Sequence, residues 1–226
     1  MQLTNTNDLA INGVKAMIIG ESGSGKTTLA KTLDHERTLV LDLESGMLPL
    51  KGTNISAVRI KCKADLDEVL KNLTNGWGNK FDNIFLDSYT ELGEMMIKEI
   101  KKDPKFKDPK MGIKMWGVYN ETMQMYTKYL RDLSNFNVFL TCLPSTKTDG
   151  IVQIETIAIP GQAIKDSVRA WFDLVLVLKA GKDDDKKSYR HLITSAEEHP
   201  LAKDRSGSLK PFEKPHLQDI ITKVNN

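Results

Sequence analysis

The chain has 226 residues, 40% hydrophobic and 27% charged, an ordinary globular composition with enough length to bury one sizeable core. Its 32 basic and 30 acidic residues leave a formal charge of +2, so whole-molecule electrostatics neither demand nor exclude a polyanionic partner. The two cysteines, Cys62 and Cys142, lie far apart without metal-binding spacing, which argues against a zinc site or a disulfide framework and fits a reducing cytoplasm. No basic-then-apolar leader opens the chain and no apolar run reaches membrane-spanning length, so a soluble cytoplasmic protein without a membrane partner is expected.

Short β-branched runs predict strands at 14–19, 38–43, 83–87, 137–142 and 173–178, with amphipathic segments between most of them. That alternation predicts an α/β fold, a mainly parallel central sheet with helices on both faces. The clearest helix is 115–134, where Trp116, Tyr119, Met123, Leu130 and Leu133 predict a core-facing stripe. The mixed charges of 181–187, followed by an extended pattern at 190–195, predict a late β-hairpin with a solvated turn. A last short helix is expected at 216–224. The whole chain reads as one domain, with 1–13 an N-terminal extension and 208–226 a C-terminal tail.

The first strand runs into Gly20-Glu21-Ser22-Gly23-Ser24-Gly25-Lys26-Thr27, which matches GxxxxGK[ST] between a strand and a predicted helix, and Thr28 is also a candidate nucleotide contact. This is a P-loop. Its glycines let successive N–H groups face phosphates, Lys26 adds a point charge at the β and γ oxygens, and Thr27 offers a hydroxyl to Mg²⁺. ATP with Mg²⁺ is the expected ligand. The strand 83–87 ends in Asp87, placed as the Walker B carboxylate beside the metal; the alternative is that Asp87 only caps the next helix, although Ser88 and Thr90 could do so. The second strand ends in Asp42-Leu43-Glu44, and a period of two predicts both acids on one side, with Glu44 reaching the γ-phosphate to polarise an attacking water.

Taken together, Gly20 to Thr27, Asp42-Leu43-Glu44, Phe85-Leu86-Asp87-Ser88, the helix beginning Trp116-Gly117 and Ala202-Lys203-Asp204-Arg205-Ser206-Gly207 resemble the RecA-like P-loop ATPases. The pattern is similar to phage-encoded AAA-type nucleotide-binding proteins of the RecA-like single-strand annealing group, across residues 14–207. The resemblance implies Glu44 as the catalytic carboxylate, Asp87 as the metal-linked one, and Thr141 at the γ-phosphate-sensing strand end, where RecA carries glutamine. It also implies single-stranded DNA as partner, a ring or filament of identical subunits, other phage recombination or replication proteins nearby, and annealing or loading in preference to strand exchange. Lys203 and Arg205 would share one face of an extended segment. The resemblance implies that they complete a neighbouring subunit's site; the alternative is surface ion pairing with nearby acids such as Glu197 or Glu198.

The corresponding DNA loops can be read for charge. Between 98 and 114 stand seven lysines (Lys98, Lys101, Lys102, Lys105, Lys107, Lys110, Lys114) against Glu99, Asp103 and Asp108, with Pro104 and Pro109 preventing a regular helix. Phosphates need clustered cations and unpaired bases need a stacking surface, so Lys102, Lys105, Lys107 and Lys110 with Phe106 are candidate DNA contacts; a solvated lysine-rich loop is the alternative. The second segment, 144–150, reads as a polar, flexible loop with Lys147. Its Thr146-Lys147-Thr148-Asp149 mimics a guanine-reading motif but is separated from its strand by Leu143-Pro144-Ser145. Two other functions use the same P-loop: a small-molecule kinase, which predicts an arginine-rich lid, and a non-catalytic nucleotide-dependent interaction module.

Overall fold

In the computed structural model the described residues are 12–150, 152–182 and 187–226. The first half of the chain forms β1 (Lys15–Gly20), β2 (Thr38–Asp42), β3 (Ser56–Arg59), α1 (Lys63–Asn75), β4 (Asn83–Asp87), α2 (Tyr89–Lys101) and α3 (Gly112–Arg131). The second half forms β5 (Asn137–Cys142), β6 (Pro144–Asp149), β7 (Val152–Ile157), α4 (Gln162–Ser167), β8 (Leu174–Lys182), β9 (Ser188–Ile193), β10 (Lys203–Asp204), β11 (Phe212–Glu213) and α5 (Leu217–Asn225). The expected extension 1–13 lies mostly, and the expected turn at Asp183, Asp184, Asp185 and Lys186 wholly, outside the described residues.

One sheet runs in the order β11-β9-β8-β1-β5-β4-β2-β3, with the short β10 also on β8. From β8 to β3 all neighbours are parallel, and β9, β10 and β11 add antiparallel pairs at one side. This is the expected α/β architecture, and the β8–β9 pair is the expected late hairpin. β1, β2 and β4 are buried along their whole length, which is why their sequences are continuous apolar runs without alternation. Met17 and Ile19 of β1 face one core with the apolar sides of α1, α2, α3 and α4. Ala16 and Ile18 face a second core closed by Leu29, Ala30 and Leu33 and by Leu217, Ile220 and Ile221 of α5.

Three expectations need correction here. In α3 the core stripe is Met115, Tyr119, Met123, Tyr126 and Leu130, whereas Trp116 is 39% exposed and meets Tyr119 edge-on at 5.6 Å. Tyr119, Met123, Leu130 and Leu133 are buried as expected; the stripe starts one position earlier, at Met115, and Trp116 lies about 100° round the helix from it, at the margin of the core. The loop expected at 144–150 instead begins a second two-stranded sheet, β6 with β7, turning at Gly150 with φ of +61°. Thr146, Thr148, Val152 and Ile154 supply the β-branched character that a reading for polarity overlooks. Third, β2 ends at Asp42, so Glu44 is not a strand residue.

Candidate active site

β1 delivers Gly20 at the C-terminal end of the parallel strands, and the chain curls through Gly23 and Gly25 at φ of +76° and +106°. Those angles belong to glycine, and a side chain at either position would be strained. Among the described residues the N–H groups of Gly23, Gly25 and Lys26 make no hydrogen bond, and the buried Ser24 Oγ has no partner. A concave loop with unpaired donors is a nest for an anion, so the triphosphate fits these residues. Lys26 is buried, and its Nζ donates to the carbonyls of Gly20 at 2.8 Å and Glu21 at 3.0 Å. Burial lowers its pKa, with Asp87 and then Glu44 opposing that shift, so both carboxylates lie within electrostatic reach of its ammonium. The helix expected after the loop is a six-residue 3₁₀ turn, Thr27–Thr32. The nest and Lys26 therefore carry more of the anion affinity than any helix dipole.

Asp87 is 1% exposed. Thr27 Oγ1 donates to its Oδ2 at 2.5 Å, and Thr141 Oγ1 donates to its Oδ1. Parallel pairing makes this possible: β5 lies between β1 and β4, with Thr141 opposite Ile18. Helix capping falls to Ser88, whose Oγ accepts from Glu91 N–H at 3.3 Å, which frees the Asp87 carboxylate to face Thr27. Hydroxyl and carboxylate oxygens are hard donors that suit Mg²⁺. Among the described residues no group of three or more His, Cys, Asp or Glu could hold a metal ion, so Thr27 and Asp87 would share the ion with phosphate oxygens, the usual arrangement for Mg²⁺. Thr141 contacts Asp87 and is itself fully buried.

The two acids after β2 have different surroundings. Asp42 is 6% exposed, and its Oδ1 accepts from the N–H of Ser45 at 2.8 Å, Glu44 at 3.1 Å and Gly46 at 3.4 Å. It shapes a turn with Ser45 at φ of +60°, an Asx-type arrangement. Glu44 is exposed on that turn, free to face a ligand on the P-loop. Strand periodicity does not relate the two; a capped turn does.

One residue that the sequence did not single out reaches the loop. Arg190, on β9 opposite Ala180, donates from Nε to the Ser24 carbonyl at 2.9 Å. With Gly25, Thr28, Leu29, Leu178 and Pro215 it lines a recess of about 180 Å³ beside the P-loop. Only strand register brings residue 190 to residue 24, so no local motif could have announced it.

The remaining candidates lie elsewhere. Asp103 and Asp108 cap 3₁₀ turns at Pro104–Lys107 and Pro109–Met111 by accepting from the N–H of Lys105 and Lys110. Lys102 pairs with Glu99 at 2.6 Å and Lys105 with Asp103 at 2.8 Å, while Lys107 and Lys110 are exposed. Phe106 packs against the core, and Lys105 Nζ sits 4.7 Å from its ring centroid, so its ring is largely covered. Lys147 is on β6, 3.5 Å from Asp166.

Lys203 and Arg205 share a face, as alternation predicts, but at the opposite end of the sheet: Lys203 is opposite Val175 near the start of β8, whereas the P-loop follows the end of β1. Lys203 Nζ donates to the carbonyl of Arg169 at 3.0 Å, and Arg205 Nη2 to that of Ala170 at 3.0 Å. Arg205 lies 3.6 Å from Asp173, a surface ion pair of the kind the alternative expects, with Asp173 and not Glu197 or Glu198 as the acid. About four strand residues at ~3.3 Å each separate this pair from its own P-loop, too far for either side chain to serve it.

Residues 12–206 match the family described as AAA domain. The chain belongs to that family. Membership makes this a nucleotide-binding P-loop ATPase-like domain. The glutamate transport ATP-binding protein GluA of Corynebacterium efficiens is 27% identical over 103 residues, 44% of this chain. The match spans 39% of that relative's length. The crystal structure of the RadB recombinase aligns over 90% of this chain and 91% of its own, with 15% identity and a TM-score of 0.42. Among the described residues no helix is long and apolar enough to cross a membrane.

Proposed function

We propose that this AAA domain hydrolyses ATP with Mg²⁺ and does so while assembled on single-stranded DNA, in annealing or loading during phage recombination or replication. The observation that carries the hydrolytic part is the contact of Thr27 Oγ1 with Asp87 Oδ2 at 2.5 Å, beside a buried Lys26 and a nest of unpaired N–H groups. In this reading the triphosphate takes Lys26 from the Gly20 and Glu21 carbonyls, and the adenine enters the recess against the flat guanidinium of Arg190. Mg²⁺, held by Thr27 and Asp87, supplies neutralisation of charge on the β and γ oxygens. Thr141 keeps the Asp87 carboxylate oriented, and Glu44 orients the water that attacks the γ-phosphorus.

Exposed lysines among residues 98–114 support a polyanionic partner. The distance of Lys203 and Arg205 from their own P-loop leaves a neighbouring subunit as the place where they could act on nucleotide. Turnover measured with and without single-stranded DNA tests the proposal. DNA-stimulated release of phosphate is the expected result, transfer to a small hydroxyl compound indifferent to DNA would indicate a kinase, and no turnover would indicate a nucleotide-dependent interaction module. Mixing Lys26→Ala protein with Arg205→Ala protein tests the trans role: recovered hydrolysis supports it, and no recovery despite co-assembly refutes it.

A further inference from the structure

A second cavity opens at the C-terminal ends of β2 and β3, against α2. Its volume is about 340 Å³, and Arg59, Lys61, Lys98 and Lys102 line it along with Met95 and two acids, Glu91 and Glu99, the second of which pairs Lys102 at 2.6 Å. Positions 91, 95, 98 and 102 fall on one stripe of α2, since spacings of four, three and four residues keep to one helical face. The stripe begins at the first turn after Asp87 and ends where the lysine-rich turns begin, a length of about 16 Å at 1.5 Å per residue. Among the described residues neither Lys61 nor Lys98 forms an ion pair, and both are exposed, so the groove holds two uncommitted cations beside two that are paired, Lys102 with Glu99 and Arg59 with Asp42.

Arg59 ties the groove to the active site. Its Nη1 lies 3.0 Å from Asp42 Oδ1, yet that buried nitrogen makes no hydrogen bond, because no N–H is aligned with the oxygen. Charge alone holds the guanidinium there. The same Asp42 oxygen fixes the N–H groups of Glu44, Ser45 and Gly46. An anion that engages Arg59 thus alters the counter-charge of the carboxylate that shapes the Glu44 turn.

We propose that this groove binds the phosphodiester backbone of a single nucleic-acid strand and reports its presence to Glu44 through Arg59 and Asp42. The occupant rests on the single-strand reading given above; the groove and its link to Glu44 do not. An elongated polyanion matches cations spread over Arg59, Lys61, Lys98 and Lys102, with Lys107 and Lys110 exposed on the turns that follow α2 in the chain, where an isolated phosphate would need only one or two. Arg59 is a positioning residue in this account, since it acts on the reaction only through Asp42 and the turn.

The test uses the full chain, Mg²⁺, a non-hydrolysable ATP analogue and a fluorescent oligothymidylate. Lys61→Gln with Lys98→Gln should weaken binding at least about tenfold and reduce the salt slope by about 1.4, two phosphates at 0.7 each, with an unchanged melting temperature. Binding and slope that survive this pair, while wild type binds, would overturn the groove and leave the single-strand reading standing. Wild type that binds no oligonucleotide would overturn that reading and the proposed occupant with it.

Cys62, partly exposed beside Lys61, gives a readout without substitution, because the other cysteine, Cys142, is buried. Oligonucleotide should slow its alkylation several-fold. Equal protection by inorganic phosphate at the same phosphate concentration, or by polyglutamate at the same charge, would refute the polynucleotide occupant. For the link, Arg59→Gln should lower DNA-stimulated kcat at saturating oligonucleotide with little change in KM for ATP, and Arg59→Lys should restore part of it; an undiminished stimulated kcat in Arg59→Gln would refute the link.

Discussion

Strand β1 carries a buried lysine at one end and leads to another beyond the other, and the two are held in opposite ways. Lys26 donates to the carbonyls of Gly20 and Glu21, six and five residues away, in the loop that contains it. Lys15 donates to the carbonyls of Leu133 and Phe136, 118 and 121 residues away, and so ties β1 to the end of α3 and the chain entering β5. Burial lowers the pKa of both, that of Lys15 to about 8. The ammonium with local partners can leave them for a ligand without disturbing the fold. The ammonium with distant partners cannot, because its bonds are the tertiary structure. A buried lysine is thus read by the sequence separation of its partners as much as by its burial.

Substitutions at the two positions should break this comparison if it is wrong. The largest effect is expected for Lys26→Ala, which should weaken ATP binding by about 100-fold, near 3 kcal/mol, with the melting temperature preserved. Glu44→Gln should follow: binding stays, while hydrolysis falls by about 100-fold or more, since the amide keeps the shape but cannot polarise water as a carboxylate does. Single-turnover kinetics separates the two.

Lys15→Met should leave ATP affinity alone and lower stability by about 1–2 kcal/mol, because two carbonyls lose their donor. Its pH dependence has a definite sign. With the folded-state pKa at about 8 and the ordinary value of 10.5, the unfolded chain binds more protons between those limits, so wild-type stability from this group rises with pH across that window. The gain is at most about 1.4 kcal/mol per pH unit. Lys15→Met lacks it, so the gap between the two proteins in denaturant melts should widen from pH 8 to pH 10. A gap that narrows would contradict the buried, desolvated ammonium. The smallest effect is expected for Phe106→Ala, about 1 kcal/mol of stability or less from a half-buried ring, with oligonucleotide affinity nearly unchanged because the ring is covered by Lys105.

What the sequence made legible divides along the same line of local against distant. The P-loop is a contiguous pattern whose requirements are local: positive φ at Gly23 and Gly25, a strand before, a turn of helix after. Strand 83–87 and strand 137–142 were readable to the residue because strands buried on both faces must be continuous apolar runs. The contacts of Asp87 with Thr27 and Thr141 are assembled by parallel pairing, and only its position at a strand end hinted at them. Glu44 stands on a turn and not on the expected strand, because the strand ends where the Asp42 side chain begins to bind the backbone, and periodicity does not register a cap. Arg190 and the Arg59–Asp42 contact were invisible: each depends on register between segments far apart in the chain. Trp116 shows a different limit, since a side chain one position from a buried one lies about 100° round the helix, and an apolar residue there can sit at the margin of the core.

Isothermal titration of wild type, Lys26→Ala and Lys15→Met with Mg·ATP, each protein first shown to melt cooperatively, tests the central assignment most directly. Wild type and Lys15→Met should bind with equal affinity at one site per chain, and Lys26→Ala should give no measurable heat at the same concentrations. Undiminished binding by Lys26→Ala, or loss of binding in folded Lys15→Met, would contradict the placement of the triphosphate on the loop from Gly20 to Thr27.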